Sequence, residues 1–191
     1  TSAYFSSSIL KQINYVPVTI YSPIMTKSIL KELDCKNIFD PCIGWGGRML
    51  GTTCIEGTKY TGCEPFTETF SGLEQMSKLL NLESQINIIN KPVEETLNNE
   101  LKDKNFDCCI TSPPYFNLEV YSDEKTQSIE SFKSYDIWMK EFIEPIIKYI
   151  TDHVSKYSCW SVKNFKTDKY YPFAEDVEKI HIKYGWKKYK E

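Results

Sequence analysis

The sequence predicts an α/β domain on a parallel sheet, from three observations. Short apolar runs alternate with amphipathic stretches in the order of repeated β-α-β units. A glycine-rich turn, Asp40-Pro-Cys-Ile-Gly-Trp-Gly-Gly-Arg48, directly follows the first of those runs. The chain has 191 residues, enough for one domain with a sizeable core.

In chain order, residues 24–33 carry helical spacing, and Asn37-Ile-Phe-Asp40 reads as a short strand running into the glycine turn. Arg48 to Glu56 reads as the next helix. Lys59-Tyr-Thr-Gly-Cys63 reads as the second strand, ending at Glu64-Pro65. A helix to about Leu80 follows, with Phe70, Leu73, Met76, Leu79 and Leu80 as its apolar stripe. Ile86–Ile89 is expected as the third strand, 93–101 as a short helix, and Phe106–Ile110 as the fourth strand, carrying Pro113-Pro114 just past its end. A polar loop is expected over 116–132, then an amphipathic helix from Tyr135 to about Ile150, kinked by Pro145. Residues 157–162 read as a fifth strand and 173–184 as a last helix. A sixth strand is expected to begin at Gly185-Trp186.

Composition narrows the function classes. No run reaches the roughly 18 apolar residues of a membrane span, and the polar start, Thr1–Ser8, is not a signal peptide. The chain does not begin with Met, and lysines 183, 187, 188 and 190 close it without a structural stop, which reads as a fragment. The seven cysteines form no C-x-x-C pair and only two histidines are present, so reduced buried thiols are expected rather than zinc or any other metal. Adjacent Cys108 and Cys109 must point to opposite faces of their strand. A net charge of −3 offers no global field for a polyanion, so nucleic-acid binding has to come from a local patch. A cytoplasmic protein is expected.

A strand, glycine turn and helix bring backbone amides to the C-terminal edge of a parallel sheet. Gly44, Gly46 and Gly47 lie here, but Met49 stands where a dinucleotide fingerprint needs its third glycine. This counts against a nicotinamide-linked dehydrogenase. Asp40 offers a carboxylate to an ammonium group. Glu64, twenty residues after Gly44 at the end of strand two, is placed to accept both hydroxyls of a ribose. A carboxylate beside the turn repels a pyrophosphate and welcomes a sulfonium or ammonium, which favours S-adenosylmethionine over NAD or ATP. Asn90 and Glu94, after strand three, are placed to meet an adenine amino group. Tyr21-Ser-Pro-Ile24 would cover the methionine end of that cofactor, or simply cap a helix.

Thr111-Ser-Pro-Pro-Tyr-Phe116 suits an amine-bearing base. An exocyclic amine is a poor nucleophile because its lone pair is delocalised into the ring. Accepting both its hydrogens, at the Ser112 oxygen and the Pro113 carbonyl, draws the nitrogen toward sp³ geometry and frees the lone pair. Pro114 stiffens the segment, and Tyr115 is expected to stack on a base flipped from its duplex. Trp160 reads first as a core residue, and Ser161-Val-Lys-Asn164 lies near the base pocket. Cys42 lies in the cofactor turn rather than by the base, which rules against the cysteine-nucleophile route to a ring carbon.

Asp40-Pro-Cys-Ile-Gly-Trp-Gly-Gly and Thr111-Ser-Pro-Pro-Tyr-Phe resemble motifs I and IV of the S-adenosylmethionine-dependent amino methyltransferases of DNA, the N4-cytosine and N6-adenine enzymes. The run Ser112–Tyr121 is similar to phage-type members, as in restriction-modification DNA methylation. The resemblance spans roughly residues 20–186 and implies a doubly wound, Rossmann-like sheet of the class I methyltransferase type with seven strands. Asp40, Pro41, Gly44, Gly46, Glu64 and Asn90 would then bind cofactor. Ser112, Pro113, Pro114 and Tyr115 would be catalytic, and Phe116, Glu119 and Tyr121 would line the target pocket. Ser112 stands where N6-adenine enzymes carry Asp, which leans toward cytosine. No insert for a separate recognition domain is visible, and the last strand pair is missing or cut short. The alternatives left open are an RNA base amino methyltransferase and an inactive cofactor-binding or assembly domain.

Overall fold

The computed structural model describes residues 20–116 and 132–189. Their elements are α1 Pro23–Glu32, β1 Asn37–Asp40, α2 Gly47–Thr53, β2 Lys59–Cys63, α3 Thr67–Leu79, β3 Ile86–Ile89, α4 Val93–Thr96 and β4 Phe106–Thr111. There follow α5 Tyr135–Trp138, a π-helical turn Met139–Ile143, α6 Glu144–His153, β5 Val154–Trp160, β6 Phe165–Lys166, β7 Tyr170–Tyr171 and α7 Phe173–Lys183.

The five long strands form one parallel sheet in the order β3-β2-β1-β4-β5. Strand order reverses between β1 and β4, and at that switch point the two C-terminal strand ends leave a crevice. Side chains alternate across the sheet as a pleat requires. Ile38, Tyr60, Cys108 and Ile110 pack with Leu30, Met49 and Leu73 of α1–α3. Phe39, Cys63 and Cys109 pack on the other face with α5–α7. Cys108 and Cys109 therefore face opposite cores, and helices cover both faces, a doubly wound arrangement.

Four expected elements differ. The helix over 135–150 is broken by the π-turn just before Pro145, which has no N–H to continue the ladder. The helix at 93–101 stops after Thr96 and continues as turns. β5 starts three residues earlier and ends two earlier than 157–162, with a bulge between Phe106 and Cys108 in its pairing to β4. No strand forms at Gly185-Trp186 among the described residues; Gly185 ends the last helix at φ 90°. The antiparallel β6–β7 pair was not expected at all. Most of the loop expected over 116–132 lies outside the described residues.

Candidate active site

The glycine turn is held from beneath by a buried ionic network. Asp40 is fully buried at the end of β1. Its Oδ2 accepts from Arg48 Nε at 2.7 Å and from the Tyr60 hydroxyl at 2.7 Å. Its Oδ1 accepts from Arg48 Nη2 at 3.3 Å and from the Cys42 N–H at 3.1 Å. Arg48 Nη2 also donates to the carbonyls of Cys42 and Ile43. Burial alone would lower the Arg48 guanidinium, but Asp40's charge and hydrogen bonds outweigh it and hold it above its ordinary value. Burial, with Asp40 beside it, pushes the Tyr60 hydroxyl well up, so it stays a donor. This corrects the expectation for Asp40, whose oxygens are committed to the turn rather than open to an ammonium group. Arg48 and Tyr60 carry no motif that sequence reasoning could use. The one hint is Arg48 itself, an arginine at the start of an otherwise apolar helix.

Gly44 and Gly46 take φ of 59° and 81°, which L side chains rarely adopt. Gly47 is needed for a different reason, since a Cβ there would sit 2.0 Å from the Tyr21 carbonyl oxygen. Residues 20–22 therefore lie across the turn, and the Tyr21 ring sits 5.2 Å from the Arg48 guanidinium carbon.

Glu64, just past β2, is 8 % exposed. Its Oε2 accepts the Gly44 N–H and its Oε1 the Phe66 N–H, both at 3.0 Å. Burial pushes this carboxyl up to about 7 despite those two bonds. Each oxygen retains lone-pair capacity for one more donor. Asn90 donates through Nδ2 to the carbonyls of Glu64 and Pro65, which leaves its Oδ1 as the acceptor. Glu94 on α4 has a buried Oε2 without a hydrogen-bond partner, and burial raises its carboxyl.

Across the switch point, the β4–β5 ladder continues one residue past β5 through Ser161 N to Thr111 O at 2.8 Å. Ser112 Oγ donates to Ser161 O at 3.2 Å, so its hydrogen is engaged and its oxygen remains an acceptor. No donor reaches the Pro113 carbonyl among the described residues. Tyr115 is 9 % exposed. Its ring meets Phe165 and Phe173 edge-on at 5.2 and 5.5 Å, and its hydroxyl accepts the Lys163 N–H at 3.0 Å. It anchors the Pro-Pro segment instead of offering an open face to a base, as had been expected. Phe116 is likewise a core residue, packed against Tyr135, Trp138 and Tyr171. Glu119 and Tyr121 lie outside the described residues.

The remaining candidates have structural partners. Trp160 donates to Ser158 Oγ and meets His181 edge-on. Lys183 pairs with Glu144, and Lys188 with Glu178. The half-buried Cys42 thiol is pushed well above its ordinary value by burial, the wrong direction for a nucleophile. Two open concavities of 370 and 270 Å³ lie at the opposite, N-terminal edge of the sheet. Asn37, Asn105 and Phe106 line both. Asp107 lines the larger and accepts the Lys36 and Asn37 N–H groups there, a role in the fold.

No protein-family model matches the chain, and no curated protein matches it by sequence. Solved structures do match. EvdMO1 aligns over 87 % of this chain and 35 % of its own, at 11 % identity and a TM-score of 0.57. A SAM-dependent methyltransferase from Agrobacterium tumefaciens aligns over 74 % of this chain and 44 % of its own, at 14 % identity and 0.51. The N-terminal domain of EvdMO1 with SAH bound aligns over 72 % and 48 %, at 11 % identity and 0.50. The chain thus spans between about a third and a half of these proteins. With the strand order 3-2-1-4-5 and helices on both faces, its fold is the Rossmann-like fold of class I methyltransferases.

Proposed function

We propose that the protein transfers a methyl group from S-adenosylmethionine to an exocyclic amine of a DNA base, N4 of cytosine or N6 of adenine. The observation that carries this reading is the placement of Ser112-Pro113-Pro114 at the end of β4, directly across the switch point from the glycine turn at the end of β1. Two free acceptors, Ser112 Oγ and the Pro113 carbonyl, stand together on a rigid segment. They suit an NH₂ group and offer nothing to a hydroxyl beyond a single bond.

The residues around the turn fit a nucleoside with a neutral or cationic tail. Glu64 would take the ribose hydroxyls, Asn90 and Glu94 the adenine, and Pro41, Gly44 and Gly46 the tail, with Asp40 shaping the turn from below. A pyrophosphate fits poorly, because the Gly44 N–H is given to Glu64 and the Arg48 guanidinium is committed to Asp40. The orphaned Glu94 Oε2 is a vacant hydrogen-bond position of the kind an adenine edge satisfies. When bound, S-adenosylmethionine supplies an electrophilic methyl group on a sulfonium. The chain's own part is to hold the amine's two hydrogens at Ser112 and Pro113, so that the nitrogen lone pair points across the switch point.

The test is incubation with methyl-labelled S-adenosylmethionine and mixed DNA or RNA, followed by digestion to nucleosides and mass analysis. Labelled N4-methylcytosine or N6-methyladenine from DNA is expected. Label on a ring carbon, on RNA alone, or on neither polymer would overturn the assignment.

A further inference from the structure

The β6–β7 hairpin springs from the residues that brace the Pro-Pro segment. Leaving β5, the chain passes Ser161, which accepts from Ser112, and Lys163, whose N–H binds the Tyr115 hydroxyl. It then folds back on itself, pairing Phe165 with Tyr171 and Lys166 with Tyr170. The two pairs face opposite ways. Phe165 and Tyr171 are buried and stacked, with centroids 4.9 Å apart, and Phe165 packs on Tyr115. Lys166 and Tyr170 are exposed, Tyr170 by 57 %. Two-residue strands do not sustain themselves in water, so the buried aromatic pair is what holds the hairpin to the site.

The exposed groups of the hairpin and its approach are basic and aromatic. Lys163, Lys166 and Lys169 are all exposed, and none is in an ion pair among the described residues. Lys169 lies over the Tyr171 ring at 5.2 Å, which steadies it without neutralising it. The acid within the hairpin, Asp168, accepts from Thr167 Oγ1 and the Tyr171 hydroxyl. In a chain of net charge −3, this places a local cluster of cations within a few residues of the proposed acceptor site.

We propose that the exposed groups of this hairpin and of the segment leading into it, Lys163, Lys166, Lys169 and Tyr170, dock the DNA strand that carries the target base, the lysines neutralising phosphates and Tyr170 stacking on a neighbouring base. The inference rests on the reading of a DNA base as substrate. Lysines on a rigid arm beside the pocket set the strand's register. An exposed ring among them provides a sequence-tolerant stacking platform.

The test uses the full chain with S-adenosylhomocysteine and a fluorescein-labelled DNA duplex, reading anisotropy across a salt series. For Lys166→Gln/Lys169→Gln the slope of log affinity against log salt should become shallower by about two. Tyr170→Ala should weaken binding about tenfold with the slope unchanged. Lys102→Gln/Lys104→Gln, at the N-terminal end of β4, should bind as the parent does. Unchanged slope and affinity in both hairpin variants, with a parent that binds DNA, would overturn the hairpin assignment and leave the substrate reading standing. A parent that neither binds nor methylates DNA would overturn the substrate reading itself. Tighter binding of an RNA of the same sequence would overturn the commitment to DNA.

Discussion

The two strand ends that frame the switch point are rigid for different physical reasons. At the end of β1, charge does the work, with Asp40 and Arg48 buried together and Tyr60 and backbone groups filling their remaining hydrogen-bond positions. At the end of β4, apolar packing does it, through two prolines and a tyrosine wedged between Phe165 and Phe173. A buried ion pair is intolerant of losing one partner, whereas an aromatic anchor loses stability in proportion to the atoms removed. The first end should therefore fail abruptly on mutation and the second by degrees.

Arg48→Met is the most direct way to break that contrast. It leaves Asp40 buried without its cation, at a cost of about 3–5 kcal/mol, read by chemical denaturation. Adding Asp40→Asn should recover part of the loss, because the uncompensated charge goes. If Arg48→Met unfolds at the same denaturant concentration as the parent, the turn is not held by charge.

Glu64 ties the glycine turn to the segment after β2 through Gly44 N–H and Phe66 N–H and gives the next largest effect. Its carboxyl is raised to about 7, chiefly by burial, with Asp40 adding to the rise and the Phe66 and Gly44 N–H groups and Arg48 opposing it. Since the folded value exceeds the unfolded one, the associated stability is present in full below about pH 4.5 and is lost as pH rises through about 7. The loss approaches roughly 3 kcal/mol for a shift of this size, and Glu64→Gln should flatten it. In the proposed ribose role the ionised carboxylate is the stronger acceptor, so calorimetry with S-adenosylhomocysteine should show affinity climbing about tenfold between pH 6 and pH 8 and levelling above. A pH-independent affinity would remove Glu64 from the ribose.

Ser112→Ala tests the β4 end at the chemistry itself. The side chain is half-buried and makes one long hydrogen bond to Ser161 O, so stability should change by less than about 1 kcal/mol. If the proposed amine is the methyl acceptor, turnover should fall about tenfold or more, because that amine loses an acceptor, while S-adenosylhomocysteine binds as before. Full turnover in this variant would take Ser112 out of the catalytic role.

How much of this was legible in the sequence follows from the physics of each element. β1, β2 and β3 occupy the residues their apolar runs predicted, because glycine, proline or charged turns bound each run sharply. β5 slipped because Ser155 and Lys156, just after the buried Val154, are polar and exposed, as suits a strand whose outer edge pairs with nothing among the described residues. The β6–β7 hairpin was invisible because two-residue strands have no period to detect. At the site, sequence placed Asp40, Glu64 and Ser112 at the right strand ends but not their partners. A sequence shows that Asp40 is acidic, not that Arg48 eight residues on neutralises it. It shows an aromatic after Pro-Pro, not that Phe165 and Phe173 close over Tyr115.

Tyr115→Phe carries the smallest expected effect and separates the two roles that residue has been given. The substitution keeps the ring and its edge contacts with Phe165 and Phe173 but removes the acceptor for Lys163 N–H. A partly buried amide left unpaired should cost about 1 kcal/mol. If Tyr115 serves as an anchor, the variant should melt lower and, in the proposed reaction, turn over more slowly, because the Pro113 carbonyl is held less firmly, while KM for the proposed DNA substrate stays put. If the ring served by stacking on the base, phenylalanine would replace it without loss. Unchanged melting temperature and kcat in Tyr115→Phe would therefore restore the stacking role, and would put the rigidity of the β4 end in the prolines and the aromatic packing alone.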